Sequence, residues 1–294
     1  MIVTVTLNPS LHVRYDADRV ELGTSNRVSR VRHQVGGRGL AVAQLLRMFG
    51  HEVVAAGLAG GSAGEVIRAE LARTGVATQF TRINAESRRV LQITDTSGGL
   101  QTAFDEPAPY ITTEELGRFA ADYRALLDGA TAVVLCGSLP AGLPAETYGS
   151  LTSYAVDAGV PVVLDAGGPA LRYGVARGPA LIIPDLADGE AAPEVAGAGS
   201  VVLPADGGVR VLTAAGEWLA GVGTCQAGSG PRPAAGFRDA LVAGFVPGIA
   251  LAWSWPDMLR HAVALAAAVS ADGTPDLGAY EALLPQITVT SPRT

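Results

Sequence analysis

The stretch AAGFRDALVAGF, residues 234–245, sets a glycine, two bulky residues and an aspartate at the start of a helical pattern. A helix start exposes backbone N–H groups and the positive end of the helix dipole, and together these bind anions. Asp239 in the first turn adds a carboxylate able to take a proton from a hydroxyl, so the group suits stabilisation of a migrating phosphoryl. The same residues also make an ordinary helix start whose acidic residue the dipole favours. GGRG at 36–39, followed by LAVAQLLRMFG, is a second glycine-rich turn opening a helix, one that lets backbone amides approach a ligand. LCGSLPAGLP at 135–144 ends an apolar run in a tight turn around Ser138.

These groups need a scaffold. Apolar runs of strand length, MIVTVTL, HEVVAAGLA, TAVVLCGSLP, VPVVLDAGG, ALIIPD, SVVLPADGG and RVLTAAG, alternate with helical patterns near 39–49, 63–74, 113–128, 145–158, 237–252 and 256–270. Strands that are apolar throughout and alternate with helices predict a doubly wound, mostly parallel α/β sheet covered on both faces. In such a sheet ligands bind outside the carboxyl ends of the strands, where the Ser138 turn falls. Residues 11–35 and 77–106 instead alternate apolar and polar positions, the pattern of half-exposed strands. They are expected to form a small β-sheet lid beside a core made of residues 1–10, 36–76 and 107–294.

Composition narrows the partners. The chain has 294 residues, 48% hydrophobic and 17% charged, with a net charge of −7. It is expected to be globular and to bind neither nucleic acid nor an anionic membrane, which both call for a basic surface. No basic region precedes an apolar segment at the N-terminus, and the apolar stretch 240–252 is broken by Pro247 and Gly248, so a cytoplasmic location is expected. Cys136 and Cys225 lack metal-ligand spacing, and Cys136 reads as a buried thiol. All 21 basic residues are arginine. Every role that lysine would fill toward phosphate therefore falls to a planar, forked guanidinium.

The order of the motifs carries a resemblance. TLNPSLHV near the start, GGRG, GSLPAGLP, LDAGGPAL, LIIPD, ADGG, the GFRDALVAGF helix and the tail LLPQITV resemble the ribokinase-like PfkB family of sugar kinases. The branch that it is most similar to is that of 1-phosphofructokinase and tagatose-6-phosphate kinase, with a divergent active site. The resemblance implies ATP and Mg²⁺ as cofactors and a sugar phosphate or related polyol as substrate. It also makes a homodimer through the lid plausible, since exposed strand edges invite pairing. Asp239 matches the catalytic base, and Gly236 the first glycine of the anion hole. Phe237 and Arg238 replace the Ala-Gly pair that completes that hole, Arg238 adding a positive charge beside the transferring phosphoryl. On the substrate side, Gly36, Gly37 and Ser138 are matched, and His12 stands for an aspartate, Arg38 for a lysine and Ala41 for an asparagine. Arg88 matches a phosphate-binding arginine of the lid, while Val90 and Gln92 replace an asparagine and a lysine. On the nucleotide side, Ile183, Asp185 and Asp188 replace a Lys-Pro-Asn-x-x-Glu pattern, the two carboxylates being candidates to organise Mg²⁺ and water. Asp206 and Gly207 follow a proline at 204 in the loop expected to touch ATP, and the stretch 186–200 is shorter than expected.

Two classes of function follow. One is ATP-dependent phosphoryl transfer to a hydroxyl of a sugar phosphate. The other is a degenerate member that binds sugar phosphate or nucleotide in a regulatory role, with a kinase retuned to a non-standard acceptor between them.

Overall fold

The computed structural model describes residues 1–186, 199–226, 236–270 and 274–290. The main sheet contains β1 (Ile2–Thr6), β4 (Val53–Ala59), β5 (Ala77–Arg82), β8 (Ala132–Cys136), β9 (Val162–Asp165), β10 (Leu181–Ile182), β11 (Ser200–Thr213), β12 (Gly216–Gln226) and β13 (Ile287–Thr290). Their spatial order is β13-β12-β11-β10-β9-β8-β1-β4-β5. From β5 to β11 the neighbours are parallel, and β11, β12 and β13 pair antiparallel. Strands β1, β8 and β9 are buried at every position, which is why they read as unbroken apolar runs.

Two hydrophobic clusters flank this sheet. On one face lie α1 (Arg38–Met48), α2 (Gly61–Arg73), α6 (Phe237–Leu251) and α7 (Trp255–Ala267), with the short α8 (Leu277–Leu283) at the edge. On the other lie α3 (Thr113–Leu127), α4 (Thr147–Asp157) and α5 (Gly168–Val175). Helix α6 is buried from Ala240 to Gly248 around its whole circumference, and burial of a side chain such as Phe245 contributes about 2–3 kcal/mol. Its polar residues are confined to the first turn, so the head of the helix is held by the packing of the rest.

The second sheet contains β2 (Ser10–Ala17), β3 (Arg30–Gly36), β6 (Arg88–Asp95) and β7 (Leu100–Asp105), in the order β3-β2-β6-β7. Side chains alternate between its faces. Registers His12↔Gln34, His12↔Val90 and Val90↔Asp105 put those residues on one polar face with Arg14 and Arg88. The opposite face carries Leu11, Val13, Tyr15, Val31, Leu91, Ile93 and Phe104; Leu11 is buried against the core, and Val31 and Phe104 are exposed.

The structure corrects the expected partition in three places. Residues 77–82 do not join the small sheet but form β5, at the edge of the main one, because an edge strand shows the same half-buried alternation. The two strands expected at 200–208 and 210–216 are one long strand with a bulge between Asp206 and Gly208. Helix α5 was not anticipated, being only eight residues long and starting in glycine and proline. The shortened stretch lies largely outside the described residues.

Candidate active site

Helix α1 begins at Arg38, one residue after Gly36 closes β3. Asp165 is the last residue of β9, Ile183 to Asp185 follow β10, and Arg238 and Asp239 form the first turn of α6. Gly236, at the start of α6, has φ 82°, a left-handed conformation that glycine takes at little cost. Arg38, Ser138, Gly167 and Asp185 line part of a crevice of about 600 Å³, and Gly236 and Asp239 face a second one of about 830 Å³ together with Gln34 and Ala41. Asp165, completely buried, is the hub. Arg38 Nη2 donates to its Oδ1 at 2.5 Å, and Arg238 donates to the same oxygen from Nε at 2.9 Å and Nη2 at 2.6 Å. Both guanidiniums also reach the exposed Asp185, at 3.2 Å from Arg38 and 3.3 Å from Arg238, and Arg238 Nη2 donates to the Ile183 carbonyl at 2.6 Å. Arg38 Nε lies 3.5 Å from Asp239 Oδ1.

Charge in this cluster follows from burial and neighbours. Desolvation pushes the Asp239 carboxyl up to about 6; Arg38 opposes the rise and Asp165 adds to it. Burial likewise raises Asp165 above the ordinary carboxylate range, against the pull of Arg238 and Arg38. For Arg38, burial disfavours the charge, but Asp165 foremost among its neighbours more than offsets this and the guanidinium is held more firmly protonated. Asp239 thus sits near neutrality with a cation beside it, a setting suited to a base.

A second group occupies the polar face of the small sheet. His12 Nε2 lies 3.1 Å from Ser10 Oγ, and a Cβ on Gly36 would fall 2.3 Å from His12 Nε2, so only glycine permits this packing. Burial, then Arg14 and Arg88, lowers the His12 pKa and leaves the ring neutral at neutral pH. Arg88 is 3.7 Å from Asp105, and its buried Nε lacks a hydrogen-bond partner among the described residues. Gln92, where a lysine was expected, accepts from Arg14 Nε at 2.8 Å and so positions another cation on this face. Asn8 links the two groups, its Nδ2 donating to Ser138 Oγ at 3.2 Å while its buried Oδ1 has no hydrogen-bond partner among the described residues.

The structure therefore brings Arg38, Asp185, Arg238 and Asp239 together, and places His12, Gly36 and Arg88 in one neighbouring group. Three sequence expectations change. Phe237 packs against the core cluster and not toward the crevice groups. Arg238 does not project freely beside Asp239 but is tied back to Asp165, Asp185 and Ile183. Asp185 has an oxygen on each guanidinium, so a Mg²⁺ at this carboxylate would have to displace a cation already bound there, and among the described residues no group of three or more His, Cys, Asp or Glu lies together. Asp188 lies outside the described residues; Asp206 and Gly207 lie on β11, Gly207 with φ 73° at the bulge. Asp165, Arg14 and Asn8 were not singled out from sequence. For Asp165 the signal was there: an aspartate ending the apolar run VPVVLD must find a buried cation, and here only arginine can supply it.

Cationic forks, a helix start and a carboxylate raised by burial, at the carboxyl edge of a parallel sheet, are features that a phosphotransferase uses. Residues 10–206 match the family model described as pfkB family carbohydrate kinase, and the chain belongs to that family. Kinases of this family use ATP and typically a divalent metal. The chain is similar to a possible 1-phosphofructokinase from Thermotoga maritima, with 26% identity, a TM-score of 0.81 and 99% of each chain covered. Its fold also matches phosphofructokinase-2 from Escherichia coli in complex with fructose-6-phosphate, with 21% identity, TM-score 0.78 and 97% and 98% of the two chains covered. The tetrameric inhibited form of that enzyme matches with 24% identity, TM-score 0.78 and 96% and 98% covered. Cys136 is a buried free thiol, and among the described residues no helix is long and apolar enough to cross a membrane.

Proposed function

We propose that this kinase transfers the terminal phosphoryl group of ATP to a hydroxyl of a phosphorylated ketohexose or a related polyol. The observation that carries this reading is Asp239, lifted to about 6 at the head of α6 and 3.5 Å from the Arg38 guanidinium. The acceptor hydroxyl attacks phosphorus, its proton passes to Asp239, and the bond to the leaving diphosphate breaks. Arg38, Arg238 and the N–H groups at the start of α6 face the charge that spreads over the transferring oxygens. On the other side, Arg88 and Arg14 suit the acceptor's own phosphate, while neutral His12, Ser138 and the free Oδ1 of Asn8 suit its hydroxyls. The small sheet acts as a lid over this pocket. Its outward face, with Val31 51% and Phe104 58% exposed, suits pairing with a second copy of the chain. The similarity to phosphofructokinases supports the sugar phosphate as acceptor, and the family supports an intracellular, cytoplasmic role.

A panel of fructose 1-phosphate, fructose 6-phosphate and tagatose 6-phosphate, followed by ADP release, tests the reading. Acceptor-dependent ADP release that Asp239→Asn abolishes is expected. ADP release with none of the three acceptors would reject the substrate class. A second reading, a kinase retuned to a less charged acceptor, is favoured by Val90 and Ile183, both buried and apolar where polar ligands were expected. Turnover only on unphosphorylated polyols would select it.

A further inference from the structure

Two carboxylates, Asp165 and Asp185, are each held between the same two guanidiniums, and the two contacts differ. At Asp165 the aspartate is completely buried and Arg238 donates at 2.6 and 2.9 Å. At Asp185 the side chain is 60% exposed and the contacts lengthen to 3.2 and 3.3 Å. Charge-assisted hydrogen bonds are strongest when short and desolvated, so Asp165 anchors both arginines and Asp185 holds them loosely. The oxygens around Arg238, from two carboxylates and the Ile183 carbonyl, are hard donors of the kind a divalent cation takes, and a guanidinium already fills that place.

We propose that Arg238 is a built-in cation, and that with Arg38 it forms a clamp that grips polyphosphate without a divalent metal. The proposal rests on the kinase reading above for its ligand. Phosphate oxygens arriving in the crevice replace the loose Asp185 contacts, while Asp165 keeps both forks in place. A guanidinium supplies parallel N–H donors and a permanent charge, which matches phosphate geometry and needs no dehydration of a metal ion.

The test is calorimetric titration of the full-length protein with adenylyl imidodiphosphate, in EDTA and with Mg²⁺. Wild type is expected to bind in EDTA within about threefold of its affinity with Mg²⁺, and Arg238→Gly to weaken the EDTA value by about 10- to 100-fold. Asp165 keeps Arg38 in that variant, so the fold is not left with an unpaired buried charge. Arg238→Lys, which keeps the charge and loses the fork, is expected to fall between the two. Wild-type binding that vanishes in EDTA and returns with Mg²⁺ would overturn the proposal. Tripolyphosphate in EDTA separates the clamp from the kinase reading. Binding of tripolyphosphate that Arg238→Gly weakens, with no binding of the nucleotide, keeps the clamp and removes ATP as donor. Failure of wild type to bind either ligand removes the clamp. Electron paramagnetic resonance with Mn²⁺ alone gives a readout without nucleotide. Arg238→Gly is expected to gain a bound ion that wild type lacks, and an ion held equally by both would sink the idea.

Discussion

The molecule keeps the arginines of its two candidate groups in contrasting conditions. At the head of α6, Arg38 and Arg238 are fully engaged by aspartates before any ligand arrives. On the small sheet, Arg88 has, among the described residues, a 3.7 Å contact with Asp105 and a buried Nε left without a hydrogen bond. The difference teaches that the first group is organised by its own charges, whereas the second keeps a donor to offer. Substitutions at the first site should therefore disturb both stability and rate, and those at the second mainly substrate affinity.

The sharpest way to break this comparison is Asp239→Asn. We expect kcat to fall by about 10²- to 10⁴-fold, the usual worth of a general base. In wild type kcat/KM should rise with pH through about 6, where Asp239 loses its proton, and the variant should lack that limb. Stability should move the other way. Because burial raises the folded pKa above the unfolded one, the Asp239 contribution is fully present below about pH 4 and is lost as pH climbs through about 6. Thermal melts should therefore show Asp239→Asn at least as stable as wild type at pH 7.5, with the two converging near pH 4. A rate that survives the substitution would remove Asp239 as the base.

Next in size is Asp165→Asn, which leaves two guanidiniums without their common anchor. Loss of one partner from a buried pair costs about 3–5 kcal/mol, and solvent access to Arg38 and Arg238 should reduce this to about 2–3 kcal/mol in a denaturant melt. A smaller and more selective effect is expected from Arg88→Gln: KM for the phosphorylated acceptor up by about tenfold, kcat and melting temperature nearly unchanged. A large drop in melting temperature would instead make Arg88 part of the scaffold. The mildest is Phe104→Glu on the outer face of the small sheet. It should leave the melt unchanged and shift the sedimentation of the protein from dimer to monomer; a wild type that already sediments as a monomer would dismiss the pairing.

Much of the scaffold was legible because β1, β8 and β9 are buried on both sides and so carry uninterrupted apolar runs. Strand β5 was misplaced because its half-buried alternation is common to an edge strand and to the small sheet, and only pairing with β4 distinguishes them. In the site, Asp239 and Gly236 could be found locally, since a helix start is a matter of adjacent residues. The grip of Asp165 on Arg38 and Arg238 could not, because those partners lie 127 and 73 positions away and meet only when the sheet is assembled. Arg14 was hidden for a similar reason: Gln92 looks like the loss of a cation until the register of β2 and β6 shows which residue it orients.

The path of the chain from β1 into β2 has a mechanical meaning. Leu7, Asn8 and Pro9 alone separate an interior strand of one sheet from an interior strand of the other, and Leu7 is anchored in the core while Asn8 holds Ser138. On the far strand, Gly37 alone separates β3 from the helix that begins with Arg38. Two of the four described chain crossings between the small sheet and the core thus carry Asn8 and Arg38 or adjoin them. In the proposed lid, a ligand that grips either residue would pull on those two crossings directly.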